Sequence, residues 1–235
     1  MLHSILHHDL HLADALALPL PVPPTNVLIL FIREPVPGRV KTRLAASVGA
    51  ERACAIYMAM AEHVVRHVQS DGWTTLLYVD DADGVASVES WLGLSPRIQR
   101  GVTLGERLAT AVAEHASARV VVVGTDAPDV DAAIVAEAFT ALDDNHVVLG
   151  PAYDGGYYLI GLQCPLPEVF EGIDWSTDRV LLQTVQAAVS AGATITMLSP
   201  LRDIDVEEDL RSYVAEKHHT PFGRILESYL GGNSS

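Results

Sequence analysis

Lysine is nearly missing from this 235-residue chain, which holds only Lys41 and Lys217 among its 15 basic residues. Arginine is the habitual cation here, so a lysine inside a loop asks for a reason. Positive charge as a whole is scarce: 30 acidic residues set the formal charge at −15 and the pI near 4.9, which disfavours nucleic acid or an anionic membrane as partner. Cysteine is equally sparse. Cys54 and Cys164 make neither a metal-binding spacing nor a disulfide framework, and reduced thiols in a cytoplasmic protein are expected. No apolar run approaches the eighteen or so residues of a membrane helix. A secretory leader is not expected either, because no Lys or Arg precedes Arg33 and His and Asp interrupt the first apolar residues. The two familiar phosphate motifs are also missing at the opening strand: Val40, not Gly, precedes Lys41, which excludes a P-loop, and no GxGxxG follows the strand.

What is present is an ordinary folded composition, 49% hydrophobic and 19% charged, in a chain long enough to bury roughly 70–75% of its unfolded surface around one core. Three segments are expected: an N-terminal appendage with a Pro-rich linker over 1–25, one domain over 26–218, and a C-terminal tail over 219–235. In the appendage His3, His7 and His11 fall on one helical face. Without an acidic or Cys partner such a stripe reads as solvated rather than as a metal site.

The domain opens on NVLILFIREPVPGRVKTRL, Asn26–Leu44. Val27–Ile32 is an apolar run without polar alternation, the mark of a strand covered on both faces, and a mostly parallel α/β sheet follows. After it come two prolines, Gly38 and four of the chain's 15 basic residues, Arg33, Arg39, Lys41 and Arg43. A cationic loop leaving the carboxyl end of a strand at a helix start suits phosphate or pyrophosphate. Farther on, Thr103 and Glu106 are spaced as a capping box, and Arg107 in that first turn opposes the helix dipole unless an anion lies nearby. Val120–Val123 reads as a central strand, and Asp126, just beyond its end, is the first metal candidate, since Asp129 and Asp131 are better placed to cap the next helix. Gly155 and Gly156 make either a tight hairpin or room for a substrate, with Asp154 and Tyr157 supplying polar contacts. Trp175 either stacks on a ligand or closes the core. Asp203 and Asp205 alternate with Ile204, and only one of the two is expected at any one site.

In order, FIREPVPGRVKTRL, LGERL, VVVVGTDAPDV, VVLGPAYDGGYYLIGL, DWSTDRVL and DIDVEEDL resemble a bacterial family of GT-A-type nucleotide-diphospho-sugar transferases, related to molybdenum-cofactor and 2-phospho-lactate guanylyltransferases. The resemblance spans about 26–209, with Arg33 where Lys is usual and Ala127 where Cys is common. It implies a Rossmann-like three-layer sandwich and a nucleotide bound at the first loop, with Arg33, Gly38, Lys41 and Arg43 as phosphate cradle. It further implies a divalent metal, Mg2+ or Mn2+, held by Asp126 and Asp205, and an acceptor pocket including Gly155, Gly156 and Tyr157.

Together these readings make nucleotidyl transfer from a nucleoside triphosphate to a small anionic, phosphorylated acceptor the leading expectation, with Lys41, Arg43 and Asp126 as catalytic residues. Glycosyl transfer from a nucleotide sugar is the alternative, and a non-catalytic nucleotide-binding protein the third. A homo-oligomer is left open.

Overall fold

The apolar run after Asn26 becomes an interior strand of a seven-stranded sheet. In a computed structural model that describes residues 25–231, β1 (Thr25–Ile32) lies between β2 (Thr74–Val79) and β4 (Ala118–Val123), parallel to both. With β3 (Arg97–Ile98), β5 (Val147–Pro151), β6 (Tyr157–Leu162) and β7 (Ile195–Met197), the order is β3-β2-β1-β4-β6-β5-β7. Among the described strands only β6 runs against its neighbours. It returns from β5 through the turn 152–156, where the Ala152 N–H donates to the Gly156 carbonyl at 3.0 Å, and a turn that short can only join antiparallel strands. The paired glycines therefore sit in a hairpin. Residues 1–24 of the expected appendage, with its His stripe, lie outside the described residues, and Thr25 opens β1.

Period-two geometry explains why β1 carries no polar residue in its centre. Leu28, Leu30 and Ile32 pack on one face of the sheet with α2 (Ala50–His67), α3 (Val85–Leu92) and α5 (Ala132–Ala141), while Val27 and Ile29 pack on the other with α4 (Leu104–Ala113) and α6 (Val180–Ser190). Successive side chains point to opposite faces, and both are covered, giving three layers. A third cluster lies outside α2, where α1 (Thr42–Val48), α7 (Glu207–Lys217) and α8 (Pro221–Leu230) meet around Leu44, Met60, Leu210, Phe222 and Leu226. This corrects the expected tail boundary at 218. Phe222 and Leu226 are core residues, so 221–230 packs as part of the domain.

Two helix starts follow the caps expected from the sequence. Thr103 and Glu106 form the capping box of α4, and the Asp131 carboxylate accepts the Ala133 and Ile134 N–H groups at the start of α5. Asp126 is thereby left free of capping. By contrast α6 begins at Val180 with no side-chain cap. At α7 the backbone N–H groups of Asp205 and Val206 donate to Asp209 Oδ2 at 3.0 and 2.9 Å, so the Asp205 carboxylate also does no capping.

Candidate active site

The carboxyl ends of the parallel strands and the amino end of β6 share one edge of the sheet. The loops after β1, β4, β5 and β7 all open there, the place where doubly wound sheets hold ligands. Lys41 is the centre of that edge. It is the N-cap of α1 with φ 45° and ψ 46°, a left-handed conformation that costs a residue with a Cβ roughly 1–2 kcal/mol. Its side chain is 5% exposed, and Nζ lies 2.6 Å from Asp126 Oδ1 and 2.7 Å from Asp205 Oδ1. One ammonium thus joins the loop after β4 to the segment before α7. The Ile204 N–H reinforces that junction by donating to the Asp126 carbonyl at 3.0 Å. Burial disfavours the Lys41 charge, but the Asp126 and Asp205 carboxylates outweigh it and raise the ammonium above its usual range.

The arginines of the first loop stand farther out. Arg43 lies 3.8 Å from Asp205 Oδ2, Arg33 3.6 Å from Asp80 and Arg39 3.9 Å from Glu34, all on exposed side chains. They form a rim with the buried Lys41 inside it. Gly38 has φ +82°, which supplies the turn that reverses the loop before Lys41. Tyr57 on α2 fixes the strand end: its hydroxyl accepts the Arg33 N–H at 2.7 Å and donates to the Arg33 carbonyl at 3.1 Å. In sequence Tyr57 is one of several apolar positions of a long amphipathic helix, and nothing sets it apart. Arg107 does not join the cluster in any described contact; its Nε donates to the Gly101 carbonyl at 3.1 Å.

Three carboxylates gather beside Lys41. Oxygens of Asp154, from the β5–β6 hairpin, and of Asp203 and Asp205, after β7, lie within 4.8 Å of one another. The expectation that Asp203 and Asp205 point apart is wrong: along extended backbone, side chains two residues apart share a face. Asp154, read as an acceptor contact, belongs with the acids. The acid set that converges is therefore Asp154, Asp203 and Asp205, with Asp126 joined to Asp205 through Lys41. Burial, followed by the charges of Asp154 and Asp205, pushes the Asp203 carboxyl up to about 6. Its unfolded value lies below that, so between the two the folded state holds more protons and stability falls as pH rises. Without a divalent ion, thermal stability should decline from about pH 4 to about pH 6, and Asp203→Asn should flatten that part of the profile. Differential scanning calorimetry over this range checks it.

Around the hairpin the acceptor expectations need correction. Gly155 has φ +89°, and a Cβ there would lie 2.3 Å from the Asp178 carbonyl oxygen. Its vacancy is filled by the protein's own backbone rather than left for substrate. Gly155→Ala should lower stability by about 2 kcal/mol or more, read as a denaturation midpoint. Gly156 has its N–H on Asp154 Oδ1 at 2.8 Å, which orients that carboxylate. Tyr157 does not offer its hydroxyl to an acceptor. The group is buried, facing Thr184, with no further partner for either hydroxyl among the described residues. Trp175 meets the Tyr157 ring edge-on at 6.4 Å and packs on Gly105 of α4, where a Cβ would come within 3.0 Å of Nε1. It lines a cavity of about 350 Å3 with Phe170 and Glu106, built from the α4 side of the sheet.

A mostly parallel sheet with one inserted antiparallel strand and a charged carboxyl edge defines a scaffold of the nucleotide-diphospho-sugar transferase type. The family model for an uncharacterized protein conserved in bacteria (DUF2064) matches residues 63–177. A protein of Desulfovibrio desulfuricans G20, provisionally described as a nucleotide-diphospho-sugar transferase, is 30% identical over 88% of this chain and 94% of its own, with a TM-score of 0.81. The chain belongs to the same family as that protein. More distant structures share the fold: the inositol-1-phosphate CTP transferase of T. maritima (14% identity, 90% of this chain and 98% of that one, TM-score 0.51) and the 4-diphosphocytidyl-2C-methyl-D-erythritol synthase of Anaerococcus prevotii (10%, 83% and 99%, TM-score 0.54). No curated protein matches the sequence. No described helix is long and apolar enough to cross a membrane.

Proposed function

We propose that the protein is a metal-dependent transferase that moves a nucleotidyl group from a nucleoside triphosphate to a phosphorylated small molecule. The supporting observation is the buried Lys41 ammonium held between Asp126 and Asp205 at the carboxyl edge of the sheet. An acceptor oxygen forms a bond to the α-phosphorus as the bond to pyrophosphate breaks. Such chemistry requires positioning and charge neutralisation more than a protein nucleophile. Lys41 carries the charge of the departing phosphates, Arg43 orients them, and Arg33 and Arg39 attract the polyanion to an otherwise acidic protein. The acid set fits Mg2+ or Mn2+: Asp154, Asp203 and Asp205 offer three hard oxygen donors from two loops, and a raised carboxyl among them is what a divalent cation would relieve. When bound, the ion would neutralise charge on the phosphates. Asp126 then holds Lys41 rather than acting as the principal ligand.

Purified protein with Mg2+, offered each of the four common nucleoside triphosphates and a panel of phosphorylated acids and sugars, should release pyrophosphate only when a matching acceptor is present. Acceptor-independent or absent release across the panel sinks the reading. Glycosyl transfer from a nucleotide sugar is the second reading, favoured by the convergence of Asp203 and Asp205 and by the description of the D. desulfuricans relative. Release of nucleoside diphosphate from a sugar donor would establish it.

A further inference from the structure

Lys41 touches the candidate metal set through Asp205, and that sharing has a consequence for the order of binding. Asp205 Oδ1 lies 2.7 Å from Lys41 Nζ, while an Asp205 oxygen also falls within 4.8 Å of Asp154 and Asp203. Asp154 and Asp203 have no ion pair of their own among the described residues, and the Lys41 charge offsets a small part of what raises the Asp203 carboxyl. The Lys41 ammonium therefore serves Asp126 and Asp205 directly and Asp203 at longer range, with the exposed Arg43 a second cation farther out, 3.8 Å from Asp205 Oδ2. A divalent cation entering the acid set would compete with that ammonium for Asp205 and sit close to it, and two like charges on one carboxylate repel. A polyphosphate reverses the balance, because it offers Lys41 another anion.

We infer that Lys41 is the resident counter-ion of the site, weakening divalent-metal binding until a nucleotide polyphosphate draws the ammonium away, so that metal and nucleotide load together. This rests on the metal assignment proposed above and adds a coupling between the two ligands. Binding of Mn2+ alone, followed by its electron paramagnetic resonance signal, tests it on the full chain. Lys41→Met keeps the length of the side chain and removes the charge, and it should bind Mn2+ at least about ten-fold tighter than the natural protein without nucleotide. Unchanged or weaker binding by the variant overturns the coupling but leaves the metal assignment standing. Failure of both proteins to bind Mn2+ overturns both.

Should Lys41→Met not fold, the natural protein supplies the test. Its two lysines give two resolvable signals when the lysine ε-carbons are labelled with 13C. Mg2+ alone should leave the Lys41 signal in place, and Mg2+ with a non-hydrolysable triphosphate analogue should move it. A shift of equal size with Mg2+ alone refutes the inference.

Discussion

Lys41→Met should lower pyrophosphate release by about a thousand-fold while shifting the thermal midpoint by only a few degrees. The large effect comes from removing a preorganised cation where negative charge develops, a loss that typically costs two to three orders of magnitude in rate. The small one follows from the surroundings. Asp126 is 53% exposed and Asp205 34% on their side chains, so the carboxylates left behind keep access to water and escape most of the penalty of a fully buried orphan charge. Relief of the left-handed backbone at Lys41 is not expected, since methionine meets the same Cβ clash. Steady-state kinetics beside thermal unfolding separates the outcomes. Comparable loss of folding and of turnover would make Lys41 a structural pin.

Asp205→Asn should be the second most damaging change, for a different reason. Among the described residues Asp205 is the one carboxylate that belongs to both the Lys41 bridge and the acid set. Asparagine preserves its shape and one neutral acceptor but removes the charge that holds a divalent ion. Partners merely behind a metal ligand typically cost ten- to a hundred-fold when changed; a direct ligand is expected to cost at least a hundred-fold in Mn2+ affinity, and turnover at ordinary metal concentrations should fall in parallel. Raising Mn2+ should recover part of the turnover of Asp205→Asn and none of that of Lys41→Met. Equal recovery of both would remove the distinction between ligand and phosphate-binding cation.

The strand and loop that organise the site were legible in the sequence because both signals are local. Six apolar residues without alternation require two covered faces, and a lysine in a chain that otherwise uses arginine marks a position where a compact, bendable cation is required. Asp126 was legible because Asp131 supplies the cap that would otherwise account for it. The partners were harder to read. Asp154 and Asp203 are separated by β6, α6 and β7, and only their return to one sheet edge makes them neighbours. Tyr57 is indistinguishable in sequence from the core residues beside it on α2. The reading of Gly155 as substrate room failed because a glycine signals close approach without saying what approaches, and here it is the backbone of Asp178. Tyr157 failed likewise: alternation along β6 places it toward the second core face, where its hydroxyl meets Thr184.

The chemistry itself is followed most directly by phosphorus NMR of the natural protein with Mg2+, a nucleoside triphosphate and a phosphorylated acceptor. Two new products are expected together, free pyrophosphate and a diphosphate bridge linking nucleotide to acceptor, both requiring the divalent ion. Nucleoside diphosphate formed from a sugar nucleotide, with no pyrophosphate from any triphosphate, would contradict the account.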